Sequence, residues 1–153
     1  MLEQKDVNKI KEVVEEFFEK MAITISKIEI SFSSADIVDI NIKLDEPQIF
    51  IGERGQTLFE IQRLLRTVLN KKLQEIFYLN LDINDYKKKK IEYLKSLAKD
   101  LADEAVLTRE EKVLSPMPAY ERRIIHTELA QRQDVSTESQ GEGFDRHVII
   151  KPR

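Results

Sequence analysis

Pro47-Gln48-Ile49-Phe50-Ile51-Gly52-Glu53-Arg54-Gly55-Gln56-Thr57-Leu58 sets two glycines between two apolar runs. Pro47 suits the first turn of a short helix, 47–51, where its missing N–H is no loss. Gly52 to Gly55 interrupt that helix. Leu58, Ile61, Leu65 and Val68 then recur at helical spacing, which predicts a longer helix from Gln56 to Lys72. Glycines take backbone conformations barred to other residues and let a bulky group approach closely. The longer helix starts at the loop, so its free N–H groups and its dipole favour a phosphate there. A GxxG spelling by itself arises by chance, and a plain helix–helix turn would read the same. Its weight comes from what surrounds it.

Upstream, Val7, Ile10, Val14, Phe17 and Met21 form one apolar stripe, which predicts a helix from Asp6 to Met21. Ile28, Ile30 and Phe32 alternate with Glu29 and Ser31, and Val38, Ile40, Ile42 and Leu44 alternate with Asp39, Asn41 and Lys43. The polar stretch Ser33 to Asp36 joins these two strands as a β-hairpin. Downstream, Phe77, Leu79, Leu81 and Ile83 mark a third strand. The order to this point is α-β-β-α-α-β. A helix over 85–107 follows, with Ile91, Leu94, Ala98, Leu101 and Ala105 as its seam. Lys87, Lys88, Lys89 and Lys90 stand at its start, where the helix dipole disfavours cations. An anionic partner accounts for them better than local structure does.

The remainder has a new pattern. Lys112 to Ser115 reads as a short strand, Pro118 to Arg132 as a helix, and Val135 to Ser139 and Arg146 to Lys151 as strands around Gly141-Glu142-Gly143. The reading is α+β, in three parts: a first module over 1–84, a connecting helix over 85–107, and a second, smaller module over 108–153.

Length and composition agree with this. The chain has 153 residues, 41% hydrophobic and 35% charged, too apolar for disorder and short enough for one domain or two small ones. It has no cysteine, which excludes disulfides and thiolate chemistry. No apolar run reaches the ~18–20 residues of a membrane span. Met1 to Glu12 carries no secretory pattern. Formal net charge is −3, but unevenly spread: −5 over 1–50, +5 over 51–99 and −3 over 100–153. A polyanion is drawn to the middle third rather than to the whole chain.

Arg122 and His126 are four apart on the predicted helix and so share a face. A guanidinium matches phosphate oxygens with a planar fork, and an imidazole donates a hydrogen bond or stacks. The pair is common in isolation. Here it sits in Met117-Pro118-Ala119-Tyr120-Glu121-Arg122-Arg123-Ile124-Ile125-His126, followed by Thr137-Glu138-Ser139, Gly141-Glu142-Gly143, Arg146 and Val148 to Pro152.

Two resemblances follow from these residues. Residues 5–84 resemble a KH domain of the prokaryotic topology, a module that clamps about four nucleotides of single-stranded backbone with its GxxG loop. The resemblance implies phosphate contacts at Gly52, Glu53, Arg54 and Gly55, with Arg63 and Arg66 further along the same helix. Glu53 departs from the basic residues often found inside that loop. It is repulsive to a phosphate by roughly a kcal/mol, which Arg54 can offset. The tail resembles the small single-strand-binding domain named for its invariant Arg and His. A KH domain followed by that domain resembles the Jag, or SpoIIIJ-associated, family of bacterial RNA-binding proteins. The resemblance implies a cytoplasmic single-stranded RNA binder linked to cell elongation and envelope homeostasis, and a small KH-only protein or a second copy as partner. Arg122 and His126 carry over as its signature pair, with Arg123, Arg146 and Lys151 as flanking contacts. Family members often carry a further N-terminal domain and charged linker ahead of the KH helix at which this chain begins. Single-stranded DNA stays a competing ligand, because no 2′-hydroxyl readout is visible. An adaptor that pairs with another KH chain is the rival reading, favoured by Glu53 and the acidic first third.

Other classes fail on their residues. His126 and His147 are the only histidines and, with Asp145, make too few ligands for a metal. Ser136 and Ser139 fall in a predicted strand without a nucleophile turn, and no Walker loop or G-x-G-x-x-G occurs. No enzyme activity, metal or cofactor is therefore expected. Tyr78, Tyr86, Tyr93 and Phe144 are the aromatics available for stacking. Most such residues are packing residues, and none is placed among the expected contacts.

Overall fold

The computed structural model describes residues 2–153. The chain divides into two compact units between Lys87 and Lys88.

The first unit contains helix α1 (Val7–Glu19), strands β1 (Lys27–Ser34) and β2 (Ile37–Lys43), short helix α2 (Gln48–Ile51), helix α3 (Gln56–Leu73) and strand β3 (Tyr78–Ile83). The hairpin strands pair antiparallel, Ile30 opposite Ile40. The path through α2 and α3 returns β3 parallel to β2, Ile40 beside Leu81, so the sheet order is β1-β2-β3. A helical crossover is what a parallel pair requires. Alternation sends Val38, Ile40, Ile42, Leu79, Leu81 and Ile83 into one core, which Ile10, Val14 and Phe18 of α1 and Leu58, Leu65 and Leu69 of α3 complete. The α1 stripe differs from expectation: Val13 and Phe18 are buried, while Met21 lies beyond the helix and is exposed. The 3.6-residue period carries the buried face from Ile10 to Val14 and Phe18, and the helix stops before Met21.

The chain leaves β3 through Asn84 and Asp85, both left-handed (φ 52° and 57°). The Asn84 amide accepts from Leu44 N–H (2.8 Å) and donates to Leu44 C=O (2.9 Å), so it prolongs the sheet by one pairing. Helix α4 (Tyr86–Thr108) begins next. Asp82 accepts from Lys87 N–H at 3.0 Å and satisfies one donor of the first turn.

The second unit has strand β4 (Lys112–Val113), helix α5 (Ala119–Leu129), and strands β5 (Val135–Gln140) and β6 (His147–Pro152), in sheet order β4-β6-β5. Both neighbours of β6 pair antiparallel. Leu94, Ala98, Ala102 and Ala105 of α4 enter this unit's core with Ile125, Leu129, Val148 and Ile150. The α4 seam is therefore shifted from the expected one: Ala102 replaces Leu101 as a fully buried residue, and Ile91 is exposed. Small side chains let the helix backbone approach its neighbours, so the alanines, not the larger residues, mark the closest contact. Helix α5 ends at Leu129, short of the expected Arg132. Arg132 instead forks onto Asp134 (2.9 and 2.7 Å) and reaches Asp103 of α4 at 2.6 Å. The first strand of the unit is two residues long rather than four, and Arg146 stands in the turn before β6. Among the described residues, no helix is long and apolar enough to cross a membrane.

Candidate nucleic-acid interface

The glycine loop is built by the chain's own packing. Gly52 has φ 72° and ψ −175°, a region essentially restricted to glycine. A Cβ there would collide with Thr57 Oγ1. Gly55 is left-handed (φ 77°), and a Cβ would lie 2.7 Å from Cε1 of Tyr86. Both glycines are thus explained by contacts within this unit. Between them Glu53 and Arg54 are exposed, Arg54 in the left-handed conformation (φ 55°). Helix α3 starts directly after Gly55. The loop therefore presents one acidic and one basic side chain ahead of a helix N-terminus.

Along α3, Arg63 is exposed. Arg66 is already occupied: its Nε donates to Phe77 C=O at 3.0 Å, and its guanidinium lies 4.7 Å from the centroid of the Tyr78 ring.

The four lysines of early α4 separate by environment. The Lys87 ammonium donates to Gln62 Oε1 and to Asn80 Oδ1 (3.1 Å) and sits 4.9 Å from the Phe59 ring centroid. Burial pulls its pKa down to about 8, against the opposing pull of Asp82 and Asp39. Lys88 and Lys89 are exposed. Lys90 lies 3.9 Å from Glu121 Oε1, a carboxylate on a residue only 3% exposed that also accepts from Tyr120 O–H at 3.1 Å. Lys90 thus faces a buried anion of its own unit.

On α5 the pair expected to share a face does so, and each member is anchored. Arg122 Nη1 donates to Met117 C=O at 2.6 Å, just ahead of the helix. His126 Nδ1 and Thr137 Oγ1 of β5 share a hydrogen bond of 2.7 Å. Burial, then the Arg122 charge, holds the His126 pKa below its ordinary value, which favours the neutral ring. Arg123 is exposed. Arg146 Nη1 donates to Gly141 C=O at 2.8 Å, and Arg146 C=O accepts from Met117 N–H at 3.2 Å. Lys151 is neutralised by Glu138 (2.8 Å) and Glu111 (3.5 Å), which raise its pKa. The structure therefore ties Arg122 and the Arg146 backbone to Met117 and His126 to Thr137, while Lys151 pairs with carboxylates. Thr137, Met117 and Glu121 are the anchors that residue type alone did not single out. Only the α5–β5 packing brings Thr137 to His126.

This unit, an α5 helix bearing a fixed Arg and His on a small antiparallel sheet, defines the class. Residues 92–152 match the model of the R-three-H domain, named for an Arg and a His separated by three residues. Over 140 residues, 91% of the chain, it is 37% identical to RNA-binding protein KhpB of Clostridium symbiosum, covering 63% of that protein. It is 35% identical over 76% of its length to RNA-binding protein KhpB of Bacillus subtilis, covering 57% of it, and 32% identical over 74% of its length to that of Lactiplantibacillus plantarum, covering 35% of it. The chain belongs to the KhpB (Jag) family. It spans between about one third and two thirds of the length of these relatives.

Proposed function

We propose that the chain binds single-stranded RNA through two modules and has no enzymatic activity. The observation that carries this is the anchored Arg122–His126 pair on α5, inside the matched Arg-xxx-His domain. A guanidinium held by one carbonyl keeps four of its five N–H donors for phosphate oxygens. The neutral imidazole keeps its Nε2 edge for a base or sugar. In this reading the first unit is a KH domain of prokaryotic topology, supported by its α-β-β-α-α-β order and by the loop 52–55. Glu53 and Arg54 are the side chains that meet the strand, with Arg63 behind them. Lys88, Lys89 and Arg123 add exposed positive charge. Arg66, Lys87, Lys90 and Lys151 contribute less, since each is engaged within the chain. The names of the relatives support RNA as the ligand, and single-stranded DNA is the competing ligand. The cellular role in this reading is cytoplasmic, in control of RNAs tied to cell elongation and envelope homeostasis.

A second reading is an adaptor that pairs with another KH protein, or with a second copy, and has little RNA affinity. The exposed Glu53 at the loop favours it. Fluorescence anisotropy of a labelled mixed-sequence single-stranded RNA separates the two, with the parent, Arg54→Glu and Arg122→Ala/His126→Ala compared at two salt concentrations. Salt-sensitive binding that weakens in both variants is the expected result. A folded parent that binds no RNA overturns the reading in favour of the adaptor.

A further inference from the structure

Phe144 is the most exposed large apolar side chain among the described residues, at 98%. Its placement follows from a built turn. Gln140 pairs with His147 at the end of the β5–β6 ladder. The chain between them closes through Asp145 N–H to Glu142 C=O (3.1 Å) and Arg146 N–H to Gly143 C=O (3.3 Å), and Arg146 Nη1 ties across to Gly141 C=O. Burying a Phe ring stabilises a fold. This turn holds the ring away from that gain. The same turn is joined to the Arg122 site: Arg146 C=O accepts from Met117 N–H, and Met117 C=O accepts from Arg122. The turn that presents the exposed ring is therefore linked, through the Arg146 backbone and Met117, to the residue that holds the Arg122 guanidinium.

We propose that Phe144 is a base-stacking platform for the single strand held by Arg122 and His126. The inference rests on the single-stranded RNA reading of this site and names the group that reads its bases. Phosphates go to Arg122 and Arg146, each of which spends one N–H donor on the chain. Glu142 and Asp145 flank the ring in sequence and repel phosphate from it, which leaves the ring face to a base. Every base has a π-face, so the contact is tolerant of sequence.

The test measures anisotropy of the same labelled single-stranded RNA with the parent, Phe144→Ala, Phe144→Leu and Phe144→Tyr, with far-UV circular dichroism and thermal midpoints as folding controls. A ring this exposed leaves the midpoint unchanged in all three. The expected result is affinity lowered about 5- to 150-fold in Phe144→Ala, nearly as much in Phe144→Leu, and retained in Phe144→Tyr. Unchanged affinity in Phe144→Ala, with the parent binding well, overturns the platform and leaves the single-strand reading standing. Full affinity in Phe144→Leu also overturns it, since an aliphatic side chain cannot stack and the contact with the strand would then be apolar contact without stacking. A folded parent that fails to bind overturns the single-strand reading itself, and the platform with it.

Discussion

Gly52 illustrates how a motif can be needed for two reasons at once. Its dihedral angles cost any other residue about 1–3 kcal/mol, before the contact with Thr57 is counted. Gly52→Ala is therefore expected to lower the urea midpoint, and Gly52→Asp confounds lost fold with lost binding. Arg54 separates them. Its left-handed backbone is strained for any side chain, so Arg54→Gly should keep or raise stability by up to roughly 1 kcal/mol while it lowers RNA affinity. Unfolding and anisotropy on the same sample check both halves. His126 has a sign that can be worked out. Burial and Arg122 hold its folded pKa below the unfolded value near 6.5, so the unfolded chain takes up the proton first as pH falls. Stability is fully present above 6.5, declines as pH drops toward the folded pKa, and stays reduced below it. Urea unfolding at pH 7.5 and 5.5 should show a smaller loss for His126→Gln than for the parent.

Helix α4 serves different purposes along its length. Its first turns carry four lysines, but Lys90 faces the buried Glu121 carboxylate and Lys89 belongs to the solvated surface. Lys90→Ala removes the cation that faces the buried Glu121 carboxylate and should cost about 1–3 kcal/mol. Lys89→Ala should fall within about 0.5 kcal/mol of the parent. Equal effects in chemical denaturation would contradict this division. Further along, Ala98 is completely buried in the second core. Ala98→Leu overpacks that contact and should destabilise by about 1–3 kcal/mol, whereas the exposed neighbour Ser96 tolerates Ala. A melting comparison of the two variants tests the seam.

Across the whole molecule, net charge is a poor guide to polyanion binding. The chain is acidic overall, yet its middle third carries a +5 balance. Binding carried by about four to six phosphate contacts predicts a slope of log K on log salt near −3 to −4. Anisotropy titrations across a salt series measure it directly, and a flat response would show that phosphate contacts do not carry the affinity. Fewer cations are available to a phosphate than the sequence suggests, because Arg66, Lys87, Lys90 and Lys151 are engaged internally. The slope should therefore lie toward the shallow end of that range.

Element type and order were determined by the chain alone, because period-2 and period-3.6 patterns report burial on one face wherever the core lies. That is why the hairpin, the glycine-interrupted helices and the Arg122–His126 face were legible from residue spacing. The register of α1 and α4, by contrast, was decided by tertiary packing. Met21 drops out because α1 stops before it, and Ala102 is buried over Leu101 because of how closely α4 meets its neighbours, and spacing reports neither. The same holds for the site. Residue types identified which cations could meet a phosphate. Only the fold decided that Lys90 faces Glu121, that Lys151 faces Glu138 and Glu111, and that His126 is fixed by Thr137, because each pairing joins residues distant in sequence and close in space.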